Sequence, residues 1–235
     1  MLLGLDTSTP AASACVLCDD GAAFEVTPPP ERLGRPPAHA SELMPALAEV
    51  MERAGAGWHD LDAIAVGVGP GTFTGLRIGI ATARALATAA DLPLRRVSSL
   101  AALAVGIGAI GAVRAAAPNP PSAFLRLPLI DARRGELFAA LFAGDRELWP
   151  PFAASPDELL ARLRDDGFAP LAAGDGSLRF RGMLEEAGIP VEPQDSEAHV
   201  VSALHICHLG EGAQDESPEA VLPEYLREPD AKPQQ

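Results

Sequence analysis

Asp6-Thr7-Ser8-Thr9-Pro10 follows the apolar run Leu2–Leu5. An aspartate at the tip of a buried strand, followed by hydroxyls, can hold a phosphate through water and a metal, with turn N–H groups helping. Asp6 can equally bond its own backbone in an Asx-turn. Residue chemistry leaves the two readings even. Asp131-Ala132-Arg133-Arg134-Gly135 follows a second apolar run, Phe124–Ile130. Its arginines can meet an anion, although solvating the turn is the simpler role for at least one. Gly174-Asp175-Gly176-Ser177 stands at a strand–helix junction and can face a base or ribose. Gly69-Pro70-Gly71 closes the apolar run Ala63–Val68 and leads into a helix, a sound position for an anion.

Other chemistry is excluded by what these residues lack. The segment GPGTFTGLR is not a Walker loop, because the spacing is wrong and the lysine absent. It is not G-x-G-x-x-G either, since a threonine takes the third glycine's place. Lys232 is the only lysine, so Schiff-base and lysine-base chemistry in the body of the chain are out. His39 and Glu42 suggest a metal helix, but H-E-x-x-H needs a second histidine on the same face. Cys15-x-x-Cys18 falls on a strand, where positions i and i+3 face opposite sides. In His205-Ile206-Cys207-His208 the two histidines share a helix face and the cysteine points away. Three cysteines make no disulfide framework and suit a reducing compartment.

The elements that must position these residues follow from periodicity. Leu2–Leu5 and Ala12–Cys18 read as a hairpin around the Asp6 turn. Phe124–Ile130 and Glu136–Phe142 repeat the pattern around Asp131, a weak internal repeat. Two Asp-tipped hairpins would suit a cleft between two lobes. Thr27–Pro37 holds five prolines and reads as a stiff connection without an element. A helix then runs to about Ala54, with Ser41 as cap and Pro45 in its first turn. Ala63–Val68 is a buried strand, and Thr72 or Thr74 caps the next helix, Thr72–Ala90. There Gly75, Gly79, Ala83 and Ala87 recur every four residues, which implies close packing on one face. Both helices carry more apolar surface than one core face demands. Leu94–Ser98 is a strand, Ser98-Ser99 starts an Ala-rich helix, and Ala115–Ala123 is a Pro-rich break. Asp157–Arg164 reads as a helix, Leu171–Asp175 as a strand, and Leu178–Glu186 and Val200–Leu209 as helices. The segment Pro223–Arg227, with the only tyrosine, is expected to dock back on the body.

At 235 residues and 48% hydrophobic content the chain can bury a sizeable core. A net charge of −14 argues against holding nucleic acid alone. The start of the sequence lacks the basic segment of a secretion signal, and the apolar stretch Val97–Val113 is short for a membrane span. A cytoplasmic protein with no membrane contact is therefore expected.

The blocks LGLDTSTPAAS, HASELMPAL, DLDAIAVGVGPGTFTGLRIGIATARALA, PLIDARRGELFAALF and PEYLRE, in this order, resemble the bacterial TsaB (YeaZ) family of tRNA threonylcarbamoyladenosine biosynthesis proteins. The resemblance implies an α/β, actin-like (ASKHA) two-lobed fold with mixed sheets flanked by helices. The lobes would be 1–105 and 106–197, with 198–235 as a helix and tail packing back. It implies a non-catalytic scaffold that pairs with and activates the catalytic subunit TsaD in modifying adenosine 37 of tRNA. A TsaE-like ATPase would be a further partner, with a homodimer in the absence of TsaD and tRNA met only within the complex. Pairing would run through the helices His39–Ala54 and Thr72–Ala90, with Leu43, Met44, Leu47, Met51, Phe73, Leu76, Gly79, Ile80 and Ala83 at the interface. The resemblance implies no catalytic residue, metal or cofactor, and makes Asp6, Thr7 and Ser8 a vestigial phosphate turn where weak nucleotide binding stays open. Two alternatives come from the residues themselves: a small-molecule kinase or ATPase of the same fold using Asp6, Thr7, Asp131 and the GDGS turn, and a metalloprotease using His39 and Glu42.

Overall fold

A computed structural model describes residues 1–115 and 125–227; 116–123 of the expected Pro-rich break Ala115–Ala123, and Lys232, lie outside them. The most apolar strands are central and buried on both faces, as a mixed sheet covered by helices requires. Leu2–Asp6 (β1) lies between Ser13–Leu17 (β2), which it pairs antiparallel, and Ala63–Gly69 (β4), which it pairs parallel. Ala23–Val26 (β3) and Leu94–Ser98 (β5) form the edges, giving the order β3-β2-β1-β4-β5. The second sheet has the order β8-β7-β6-β9, from Leu125–Arg133 (β6), Glu136–Ala143 (β7), Arg146–Ala154 (β8) and Leu171–Ala173 (β9).

The two sheets repeat one topology. Each opens with an antiparallel meander, and a helix then returns the chain to a strand parallel to the first. In the first sheet that helix is His39–Ala54 (α1); in the second it is Pro156–Asp165 (α4). The hairpin repeat around Asp6 and Asp131 is thus part of a larger one, as in an actin-like α/β fold. Helices α1 and Phe73–Ala90 (α2) cover one face of the first sheet, their Leu43, Leu47, Leu76 and Ile80 meeting Leu3, Leu5, Val16 and Val66. Ser99–Ala115 (α3) and Ala203–Glu211 (α7) cover the other face, in a core shared with Ile130, Phe138 and Phe142 of the second sheet. The far face of the second sheet packs on α4 and on the short helices Asp175–Arg179 (α5) and Arg181–Glu186 (α6), with Leu127, Leu159 and Leu184 buried between.

Several local expectations are corrected. α1 begins at His39 after Ala38, so Ser41 is not its cap, and Pro45 lies well inside the helix. Pro45 faces solvent, where the freed Ser41 carbonyl is accessible to water. Thr27–Pro37 is not devoid of structure: Pro30–Gly34 is a 3-10 turn that buries Pro30 and Leu33. β8 gave no sequence signal because Pro150 and Pro151 interrupt it; an edge strand tolerates them. Among the described residues no helix is long and apolar enough to cross a membrane.

Candidate functional site

The turn after β1 resolves as an Asx-turn. Asp6 Oδ1 accepts the backbone N–H of Ser8 (2.8 Å) and the Ser8 hydroxyl (2.6 Å), and Oδ2 accepts the Ser99 hydroxyl (2.7 Å). Burial pushes the Asp6 pKa up, and the hydrogen bonds from Ser8 and Ser99 oppose it. Gly67 on β4 has no side chain because the Asp6 carboxylate stands where its Cβ would be. The Thr7 hydroxyl donates to the Gly75 carbonyl (2.8 Å), fastening the turn to the start of α2. Asp6, Thr7 and Ser8 are all buried, and their polar atoms are engaged within the chain.

The second hairpin is similarly tied. Asp131 accepts the N–H of Arg133 (2.8 Å), the Arg133 guanidinium (3.1 Å) and the Arg179 guanidinium (2.7 Å). Asp175 Oδ1 accepts the Asp131 N–H (3.0 Å), and burial pushes the Asp175 pKa up to about 6. Ser177 donates to the Gly174 carbonyl (2.7 Å). The GDGS turn therefore supports the second hairpin from within. Arg133 and Arg134 both take left-handed backbone (φ 65° and 55°) ahead of Gly135, and Arg133 lines a cleft of about 480 Å³ with Gly71–Gly75.

His39 and Glu42 do not act together. Glu42 pairs with Arg32 (3.0 Å), while His39 is buried with neither ring nitrogen hydrogen-bonded among the described residues. No group of three His, Cys, Asp or Glu among the described residues could hold a metal. All cysteines are free; the Cys207 thiol reaches the carbonyls of Leu2 and Cys15 at 3.7 Å.

The residues expected to meet a partner divide in two. Leu43, Leu47, Met51, Leu76, Gly79, Ile80 and Ala83, expected at the interface, are buried inside the chain and leave little area for a partner. The apolar surplus read as a docking stripe covers the first sheet. The small-residue ladder serves the same packing: a Cβ on Gly75 would meet the Thr7 carbonyl, and one on Gly79 the Thr7 hydroxyl. Met44 (49% exposed) and Phe73 (41%) do face out. They belong to two rows at four-residue spacing, all exposed: Ala40, Met44 and Ala48 on α1, where Met44 and Ala48 widen the apolar stripe, and Phe73, Arg77, Ala81 and Ala85 on α2. The spacing was visible in the sequence, but a helix apolar nearly all round does not reveal which row turns inward.

The segment Val221–Arg227 lies against this region. The Glu224 N–H donates to the Val68 carbonyl (2.8 Å), and Glu224 pairs with Arg96 (2.8 Å). Tyr225 stacks on Phe73 with centroids 5.3 Å apart. Arg77 covers the Phe73 ring at 3.7 Å and donates to the Tyr225 hydroxyl (3.1 Å). Arg227 pairs with Glu136 of the second sheet.

Residues 30–148 match the family model described as TsaD, tRNA N6-adenosine threonylcarbamoyltransferase. The chain is 35% identical to the Escherichia coli tRNA threonylcarbamoyladenosine biosynthesis protein TsaB, over 96% of this chain and 94% of that one. It is 27% identical to the Bacillus subtilis TsaB, over 80% of each. The solved structure of YeaZ from Pseudomonas aeruginosa superposes with a TM-score of 0.70 at 28% identity, covering 96% of this chain and 99% of that one.

Proposed function

We propose a scaffold role for this chain, which belongs to the TsaB (YeaZ) family of tRNA threonylcarbamoyladenosine biosynthesis proteins. In this reading it pairs in the cytoplasm with a TsaD-type catalytic subunit and activates it, performing no chemistry itself. It forms a homodimer when that subunit is absent, admits a TsaE-like ATPase, and meets tRNA only within the complex.

One observation carries the reading: the exposed rows Ala40-Met44-Ala48 and Phe73-Arg77-Ala81-Ala85 lie on neighbouring helices, the first setting Met44 between two alanines and the second ending in two. Small residues let a second pair of helices approach closely, and Met44 and Phe73 supply apolar area to bury. Burial is worth about 25 cal/mol per Å² of apolar surface, less the cost of association. The internal satisfaction of Asp6 and Asp131 agrees with a support role, since a group spent on the fold is not free for a substrate. Size-exclusion chromatography of the chain, alone and mixed with a TsaD-type subunit, tests this. Co-elution as one complex is expected; independent elution at micromolar concentration would end the proposal.

A further inference from the structure

Residues 192–202 carry the chain from the second sheet back to the first. Val191, just before this crossing, bridges Ala172 of β9, and α7, just after it, packs on the first sheet. The far end of the crossing is tied to the first sheet: the Ser13 hydroxyl donates to the Val201 carbonyl (2.8 Å), and the Ser202 hydroxyl to Glu25 (2.7 Å). At the near end His199 makes the tie. It is fully buried, and its two ring nitrogens meet opposite partners. Nδ1 accepts the Gly174 N–H at 3.0 Å, while Nε2 stands 2.9 Å from the Pro193 carbonyl and 3.2 Å from that of Glu192. The Ser177 hydroxyl, 3.4 Å from Nδ1, donates to the Gly174 carbonyl (2.7 Å).

This geometry admits one protonation state. Nδ1 accepts from an N–H and so carries no proton; Nε2 faces two carbonyls and so carries one. A second proton, on Nδ1, would point at the Gly174 N–H, setting two donors face to face in a site closed to solvent. Burial lowers the His199 pKa against the pull of the Pro193 and Glu192 carbonyls, and Arg181 lowers it further. Arg181 comes from α6 and donates to the Glu192 carbonyl. The other titratable groups on the elements around the ring are the buried Glu192, Asp175 in the Gly174 turn and His205 of α7; Asp195 and Glu197 on its own segment are exposed, and Ser99–Ile107 of α3 carries no charge.

We propose that His199 is a proton-operated latch: neutral, it fastens the crossing 192–202 to the Gly174–Ser177 turn, and a proton taken from solvent at Nδ1 parts the two. The Gly174 N–H then loses its acceptor, and the turn that holds Asp175 against the Asp131 hairpin loosens with it. A histidine whose folded pKa lies below its unfolded value of about 6.5 gives stability that is present above that value and is lost as pH falls through the folded pKa. Asp175 works the other way, taking its proton as pH falls through about 6.

The test is nitrogen NMR of the His199 ring together with amide exchange of the full chain, from about pH 7.5 down to about pH 4.5. The Nε2–H tautomer is expected at the upper limit. Below the pKa of the ring, protection of the Gly174 amide should fall about tenfold per pH unit, since one proton drives one opening, while β1 and β4 amides stay protected. His199→Asn puts an amide oxygen near the place of Nδ1 and has no proton to take, so its Gly174 protection should stay flat. Asp175→Asn removes the opposing titration and should keep the fall. The wild-type spectra decide by themselves if His199→Asn does not fold. An Nδ1–H tautomer, Gly174 protection unmoved as His199 titrates, or loss of β1 and β4 protection in the same step would each overturn the proposal, as would the same fall in a folded His199→Asn.

Discussion

Asp175 holds its carboxyl against the N–H of Asp131, and burial raises its pKa from 3.8 to about 6. An acid whose folded pKa lies above its unfolded one binds more protons when folded, so its contribution to stability falls as pH rises through that interval. Asp175→Asn keeps the accepting oxygen and removes the charge. Melts between about pH 4 and about pH 7 should show the variant losing less stability across the window than wild type; parallel curves would contradict the assignment. Gly79 makes a steric prediction. A methyl there lands on the Thr7 hydroxyl, which holds the Gly75 carbonyl. Gly79→Ala should cost about 1–3 kcal/mol, read as a lower urea midpoint at unchanged slope. Chemistry-bearing residues were easy to find in the sequence and hard to interpret. Asp6, Asp131 and Asp175 stand at turns, as their strand–turn patterns indicate. Which donors each would find depends on Ser99 and Arg179, far away in the chain.

At the scale of elements, periodicity located both helices over the first sheet, because each is long and strongly patterned. Their orientation was not legible. α2 is apolar nearly all round, and the glycines that mark close approach are the same whether a strand or a partner helix approaches. Thr7 is what settles it, filling the groove beside Gly75 and Gly79. β3 and β8 escaped notice because both are edge strands, the first short and half-exposed, the second broken by prolines. The segment Val221–Arg227 is an element without regular structure, held by Tyr225 on Phe73 and by Glu224 on Arg96. Tyr225→Ala removes the stack, worth about 0.5–1.5 kcal/mol beyond area burial, and the hydrogen bond from Arg77. Amide exchange in 221–227 should accelerate while exchange in β1 and β4 stays as in wild type. Unchanged protection of the segment would mean that its other contacts hold it.

For the whole molecule, two copies of one topology, each centred on an Asp-tipped hairpin, give a frame that could bind a ligand between hairpins. Here the polar groups of those hairpins are engaged within the chain, and α1 and α2 each present one large exposed apolar residue, Met44 and Phe73. With a net charge of −14, the chain's contribution to tRNA modification is best made through a protein partner. Met44 is the most direct probe, because at 49% exposure its replacement spares the core. Met44→Asp should change stability by no more than about 0.5 kcal/mol. In the proposed pairing it would place a charge where a partner helix has to dehydrate it. The decisive measurement is threonylcarbamoyladenosine formation on tRNA by a reconstituted TsaD-type subunit and its remaining partners, with this chain supplied, omitted or replaced by Met44→Asp. Product is expected only with the wild-type chain. Full modification in its absence would contradict the scaffold role.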